Sequence, residues 1–252
     1  MIIYLQANLM FQSPDVVWLN TSPSLQCFSQ PLLSYLSHHM TIASWDYSQT
    51  EDEASPLSFA VMLLHDYLQS CTQPVHLIGH STGGLLGLFY ADRYPEKVKS
   101  LTLLAVGVDA AVNWHVHYYA HLPFSSRQQI LRSMAYNLFG YHAEFTNKRL
   151  TQILRQDLNS SLSPHSLFQR LCVPRSSVPV PLMVCGSLDD IVVEIDDLCG
   201  WQLYLKEGDR LWKCPEGKHF FHFFQPQLVA EQVLHFWKSL HLSNSVSSSL
   251  KI

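Results

Sequence analysis

The chain has 252 residues, with 16 Lys+Arg against 20 Asp+Glu, a formal charge of -4, 47% apolar and 14% charged residues. Such a length suits one large domain, or one domain carrying an insertion, and can bury roughly 70–75% of its unfolded surface without a metal or disulfide staple. The acidic balance and the lack of any basic block argue against nucleic acid as a partner, and the apolar content excludes disorder for most of the chain.

The opening segment, MIIYLQANLMFQSPD, has no basic residue ahead of its apolar stretch and no small-x-small cleavage pattern, so it does not read as a secretory signal. No run approaches the ~20 apolar residues needed to span a bilayer. Six cysteines, Cys27, Cys71, Cys172, Cys185, Cys199 and Cys214, are scattered without CxxC spacing. Reduced, mostly buried thiols and a cytoplasmic location are the expectation.

Short β-branched runs alternate with longer periodic ones, the pattern of parallel strands joined by helices. Val16-Val17-Trp18-Leu19 reads as a strand, Cys27 to His38 as a helix, and Met40 to Ala43 as a second strand. Ser58 to Cys71 sets Phe59, Met62, Leu63 and Tyr67 at helical spacing. The strand Val75 to Ile78, the helix Thr82 to Arg93 and the strand Leu101 to Ala105 continue the rhythm. Residues 112–172 break it with helical patterns at Arg127 to Leu138, Asn147 to Leu158 and His165 to Leu171. Alternation resumes at Pro181 to Cys185 and Arg210 to Lys213, and a helix from Gln227 to Leu240 closes it. The expected organisation is an α/β core at 1–111 and 173–242, a helical cap insertion at 112–172 and a flexible Ser-rich tail at 243–252.

Gly79-His80-Ser81-Thr82-Gly83 is G-x-S-x-G between a strand pattern and a helix pattern. With 10 Gly and 29 Ser in the chain, about 0.05 such pentapeptides are expected by chance. The spacing has a physical reason: a sharp turn holds the serine in a strained conformation, and small residues two before and two after it avoid clashes. A serine hydroxyl is a poor nucleophile alone and needs a base within reach, itself oriented by a third group. Gly186-Ser187-Leu188-Asp189 leaves an apolar strand, which puts Asp189 at the sheet edge that carries Ser81. Gly217-Lys218-His219 brings a loop histidine to the same edge, so the chain order is Ser81, Asp189, His219.

These residues resemble the α/β-hydrolase superfamily, through GHSTGG at 79–84, ADRYPEKVKSLTLL at 91–104, GSLDDIV at 186–192 and GKHFFHFFQP at 217–226. The resemblance implies a Ser81 nucleophile, a His219 base and an Asp189 orienter on a mostly parallel, eight-strand-like sheet. It also implies an oxyanion hole of two backbone N–H groups, Ser22 by position and Thr82 just after the nucleophile. Where many members carry His-Gly after the early strand, this chain has Asn20-Thr21-Ser22-Pro23. Asp46 matches the position of a structural aspartate, and the short N-terminus implies the loss of one or two edge strands.

Other residues compete for these roles. Asp190 becomes the acid if its strand ends one residue later, and Asp109 is a relocated-acid alternative. His222 reads as a packed histidine in an aromatic run. His115, His117 and His121 offer three imidazoles, but helical spacing aligns only 117 with 121, so pocket-lining or surface histidines are expected and no metal. Trp114, Tyr118, Tyr119, Phe124, Tyr136 and Phe139 make the cap aromatic.

The expectation is a serine hydrolase acting, without cofactor, on a small hydrophobic ester through an acyl-enzyme in an apolar pocket. An acyl thioesterase is an alternative, because the run Gly217 to Phe221 and Trp201 are similar to stand-alone acyl-carrier thioesterases. A carbon–carbon bond hydrolase with the same triad, or a non-catalytic member binding a ligand or partner, are the others.

Overall fold

A computed structural model of the chain describes residues 13–48, 56–109, 113–141, 144–163 and 177–249. Among them, β1 (Val16–Asn20), β2 (Ile42–Asp46), β3 (Val75–His80), β4 (Val98–Leu104), β5 (Leu182–Ser187) and β6 (Arg210–Cys214) form one sheet in the order β2-β1-β3-β4-β5-β6. Every pairing is parallel. Six strands stand among the described residues, where the resemblance implied eight.

Side chains alternate across the pleat and so bury both faces of the sheet. Val17, Leu19, Leu77, Leu101, Leu103 and Val184 turn to one face, where α2 (Leu57–Gln69) and α3 (Thr82–Arg93) pack. Val16, Trp18, Ile78, Met183 and Cys185 turn to the other, covered by α1 (Gln30–Ser37) and α9 (Pro226–Ser249) through Leu32, Leu36, Val229, Val233, Phe236 and Trp237. Two short helices, α7 (Ile195–Cys199) and α8 (Phe221–Phe224), follow β5 and β6 respectively.

Among the described residues, three helices lie between β4 and β5: α4 (Trp114–His121), α5 (Arg127–Phe139) and α6 (Glu144–Ser160). They enclose a separate apolar cluster that meets the core loops at Leu25, Phe28, Val192 and Phe220. Tyr118 and Phe139 are spent on that cluster, whereas Phe124 and Tyr136 face solvent. The helical pattern at His165 to Leu171 lies outside the described residues. Helix α9 runs past the expected Gln227 to Leu240 stretch as far as Ser249, with neither Gly nor Pro after Leu240 to stop it.

Five cysteines among the described residues are unpaired; Cys185 and Cys214 are buried and Cys27 is exposed. No helix among the described residues is long and apolar enough to cross a membrane.

Candidate active site

The carboxyl ends of β1 and β3 and the loop after β6 meet at one cavity, lined by Trp18 to Ser22 and by His80, Ser81, Thr82, His219 and Phe220. Ser81 closes β3 at φ 50° and ψ -120°, a strained backbone for a residue with a Cβ. Its N–H donates to the Leu104 carbonyl at 2.9 Å, which fixes the elbow to the next strand. Close packing explains the flanking glycines. A Cβ on Gly79 would lie 2.5 Å from the Gly83 carbonyl carbon, and one on Gly83 would lie 2.2 Å from the Leu19 oxygen.

His219 is fully enclosed, and its Nδ1 donates to Asp190 Oδ2 at 2.9 Å. Asp190 Oδ1 in turn accepts the Val192 N–H at 2.8 Å, so both carboxylate oxygens are held. The expectation that Asp189 orients the histidine is corrected. Asp189 instead accepts Ser187 Oγ–H at 2.6 Å and the Lys218 N–H at 2.8 Å, beside the Lys218 ammonium at 3.4 Å. Burial raises its carboxyl, but these donors outweigh burial and hold it below the usual carboxylate range. The reason is local: a turn follows β5, with Asp190 N–H reaching back to the Ser187 carbonyl, and it sends Asp189 outward and Asp190 beneath the imidazole. Asp189 keeps a part, because it grips Lys218, which sits at φ 55° immediately before His219.

With Nδ1 committed to Asp190, His219 Nε2 is buried without a hydrogen-bond partner. It shares the cavity with Ser81 but is not bonded to it, a looseness common in ligand-free sites. His80 Nε2 donates to the His219 carbonyl at 2.9 Å, and the His80 ring lies 4.5 Å from that of His222. Burial, then the neighbouring His219, pushes His222 down to about 3. Burial first, then His222 and His219, likewise keeps His80 well below the ordinary histidine value. Both rings are therefore neutral and packed, as the aromatic context of His222 suggests.

On the oxyanion side, Thr82 N–H opens α3 and has no acceptor within its own helix. The Ser22 N–H is engaged: it donates to Asn20 Oδ1 at 3.2 Å, while Asn20 Nδ2 donates to Asp46 Oδ1 at 2.5 Å. Asn20 thus builds a local turn in place of His-Gly, anchored on the aspartate of β2. An oxyanion at Ser22 would have to displace that long bond. Sequence reasoning missed Asn113, whose Nδ2 donates to Thr82 Oγ1 at 2.9 Å while its Oδ1 caps α4. It also missed Asp157, 42 residues from His115, whose carboxylate meets that histidine's Nε2 at 3.2 Å. Contacts this far apart leave no local spacing to read.

The cavity wall is mixed rather than apolar. Trp18, Leu25, Trp114 and Phe220 alternate with His80, His115, His222, Ser22 and Ser29. No group of three or more metal-ligating side chains occurs among the described residues. His121 Nδ1 donates to the His117 carbonyl, so the three cap histidines part ways.

Residues 71–190 match the α/β hydrolase fold family. The uncharacterized protein alr2406 of Nostoc sp. (strain PCC 7120) is 45% identical over 238 residues, 94% of this chain and 95% of its own length. The uncharacterized protein sll0249 of Synechocystis sp. (strain PCC 6803) is 44% identical over 93% of this chain and 94% of its own. Among solved structures, naproxen esterase (carboxylesterase NP) from Bacillus subtilis superposes with a TM-score of 0.67 at 17% identity, covering 89% of this chain and 84% of that one. With the family match and the parallel sheet in agreement, the chain belongs to the α/β-hydrolase family, and it is similar over nearly its whole length to the two cyanobacterial proteins.

Proposed function

We propose that the protein is a serine hydrolase of small carboxylic esters, with Ser81 as nucleophile, His219 as general base and Asp190 as the group that orients and charges against His219. The observation that carries this reading is the enclosed His219–Asp190 pair, which leaves a bare imidazole nitrogen in the cavity that contains a strained serine. In the reaction, His219 Nε2 takes the Ser81 hydroxyl proton as Oγ attacks the ester carbonyl, and Asp190 stabilises the imidazolium that forms. The carbonyl oxygen gains charge against the Thr82 N–H and, once Asn20 yields it, the Ser22 N–H. His219 then protonates the leaving alcohol, and water attacks the acyl-enzyme by the same proton route in reverse.

The cavity is narrow, reaching about 480 Å³ only with its open mouth counted, and so favours a small ester over a bulky one. Its mixed wall favours a substrate with a polar group over a long apolar chain. The name of the similar Bacillus subtilis enzyme lends ester hydrolysis support over the thioester and carbon–carbon alternatives. Helices α4 to α6 act in this reading as the cap that bounds the acyl or alcohol side.

The test is covalent labelling by a fluorophosphonate. Stoichiometric modification mapped to Ser81, abolished in Ser81→Ala and accompanied by turnover of p-nitrophenyl esters, is the expected result. A folded protein that neither labels nor turns over such esters would be a non-catalytic member of the family.

A further inference from the structure

The oxyanion side of the site has a side-chain donor that the reaction above leaves unused. Thr82 is the first residue of α3, follows Ser81 directly and lines the cavity. Its Oγ1 accepts a hydrogen bond from Asn113 Nδ2 at 2.9 Å. The other end of the amide fixes the direction of that bond. Asn113 Oδ1 accepts the Val116 N–H as the cap of α4, so it is Nδ2, a donor only, that faces Thr82. The Thr82 hydroxyl is therefore an acceptor toward Asn113 and keeps its own proton to give elsewhere. Among the described residues no protein acceptor takes that proton.

Thr82 is only 7% exposed, so an unpaired hydroxyl proton there costs free energy unless something in the cavity accepts it. The site also lacks a donor at this point. The Ser22 N–H is engaged by Asn20 Oδ1 at 3.2 Å, which leaves the Thr82 N–H without a ready second. The rotamers open to a helical threonine set Oγ1 beside its own backbone N, so the N–H and O–H of one threonine can converge on one acceptor. A hydroxyl carries its proton across the whole working pH range, and no titration is needed to arm it.

We infer that the Thr82 hydroxyl is a catalytic hydrogen-bond donor of the oxyanion hole, and that Asn113 is the positioning residue that turns its proton toward the substrate. This inference rests on the serine-hydrolase reading. As Ser81 Oγ bonds to the ester carbonyl carbon and its proton passes to His219 Nε2, the carbonyl π pair moves onto oxygen. The Thr82 N–H and O–H both donate to that oxygen, and neither transfers its proton. Asn113 also begins α4, so the same amide that caps the first cap helix sets the hydroxyl, which ties the order of the cap to the donor beside the nucleophile.

The experiment measures kcat and KM on p-nitrophenyl butyrate, together with the affinity for an alkyl trifluoromethyl ketone, which adds to Ser81 and carries an alkoxide where the oxyanion forms. Thr82→Val keeps the N–H and the shape but removes the O–H. It should lower kcat by about 10²-fold with KM within a few-fold, and weaken the ketone by a similar factor. Thr82→Ser, which restores a hydroxyl, should recover most of both. Asn113→Ser keeps an oxygen to cap α4 but cannot reach Thr82; it should lower kcat by about tenfold alone and by less than about twofold in the Thr82→Val background. Fluorophosphonate labelling separates the failures: a wild-type protein that does not label at Ser81 defeats the serine-hydrolase reading. A protein that labels, but whose Thr82→Val variant keeps kcat or ketone affinity within about threefold, defeats the hydroxyl donor alone. Full additivity of the two substitutions defeats the role of Asn113. Thr82→Ala removes the hydroxyl without a branched side chain and decides the question should valine not be accommodated.

Discussion

His219 Nδ1 lies 2.9 Å from Asp190 Oδ2, with both side chains wholly enclosed, while the adjacent Asp189 side chain is 37% exposed and turned toward Lys218. Two neighbouring carboxylates thus have separate tasks, one orienting the imidazole and the other bracing the loop that delivers it. Asp190→Asn should lower kcat by about 10³–10⁴, because an amide stabilises the wrong tautomer and gives no charge to an imidazolium. Asp189→Asn should lower it by less than about tenfold. Steady-state kinetics of the two variants on one p-nitrophenyl ester checks the assignment, and equal losses would contradict it.

The turn at Asn20 is predicted to be part of the catalytic geometry. Asn20 holds both the Ser22 N–H and Asp46, so Asn20→Ala should lower kcat about tenfold or more with KM within a few-fold. It should also reduce stability by about 1–3 kcal/mol, since it strands the buried partners of a polar side chain. Proline at 22 is a poorer probe, because Ser22 sits at φ -134° and the ring requires about -65°. Kinetics with a parallel urea titration separates the two effects.

Gly83 is predicted to be intolerant of any side chain. Its missing Cβ would lie 2.2 Å from the Leu19 carbonyl oxygen, a backbone atom of β1, which is paired on both sides and cannot step aside. Gly83→Ala should cost about 3 kcal/mol or more, or prevent soluble expression. A thermal melt within a few degrees of wild type would show that β1 can move.

Acid should destabilise the fold through its packed histidines. In the native state His222 is pushed down to about 3 and His80 is also well below the ordinary value, whereas in the unfolded chain both titrate near 6.5. Above about pH 6.5 neither state binds a proton at these rings, so the full stability is present. As pH falls below that value the unfolded chain takes up protons first, and stability drops by about 1.4 kcal/mol per pH unit for each ring. Asp189 contributes in the same sense but lower on the pH scale, its stability present above its unfolded value and lost below about pH 4, outside this window. Urea midpoints from pH 7.5 to 5 should follow that slope, and His222→Gln should remove the share of one ring; a flat profile would contradict buried neutral histidines.

Much of the fold was legible in local pattern. Strand runs such as Val16 to Leu19 are apolar on both faces, as parallel strands between two helical layers must be. The Ser81 elbow was legible because its constraint is local: a strained turn needs glycine two residues away on either side, so the requirement is written within five residues. His219 could be found for a similar reason, as a loop residue between a strand pattern and a helix pattern.

What tertiary structure alone decided are the choices between neighbours and the partners brought from afar. Whether Asp189 or Asp190 reaches His219 depends on which way one turn after β5 directs each side chain, a matter of one residue that the pattern Gly-Ser-Leu-Asp-Asp leaves open. His115 looked like a surface or pocket histidine without a carboxylate because Asp157 is 42 residues downstream and reaches it only when α6 packs on α4. The same holds for Asn113 and Thr82, joined across the cap and core. Periodicity encodes which face of an element is buried, but the partner of a buried polar group is set by how elements dock, and that information is spread over the whole core rather than written beside the residue.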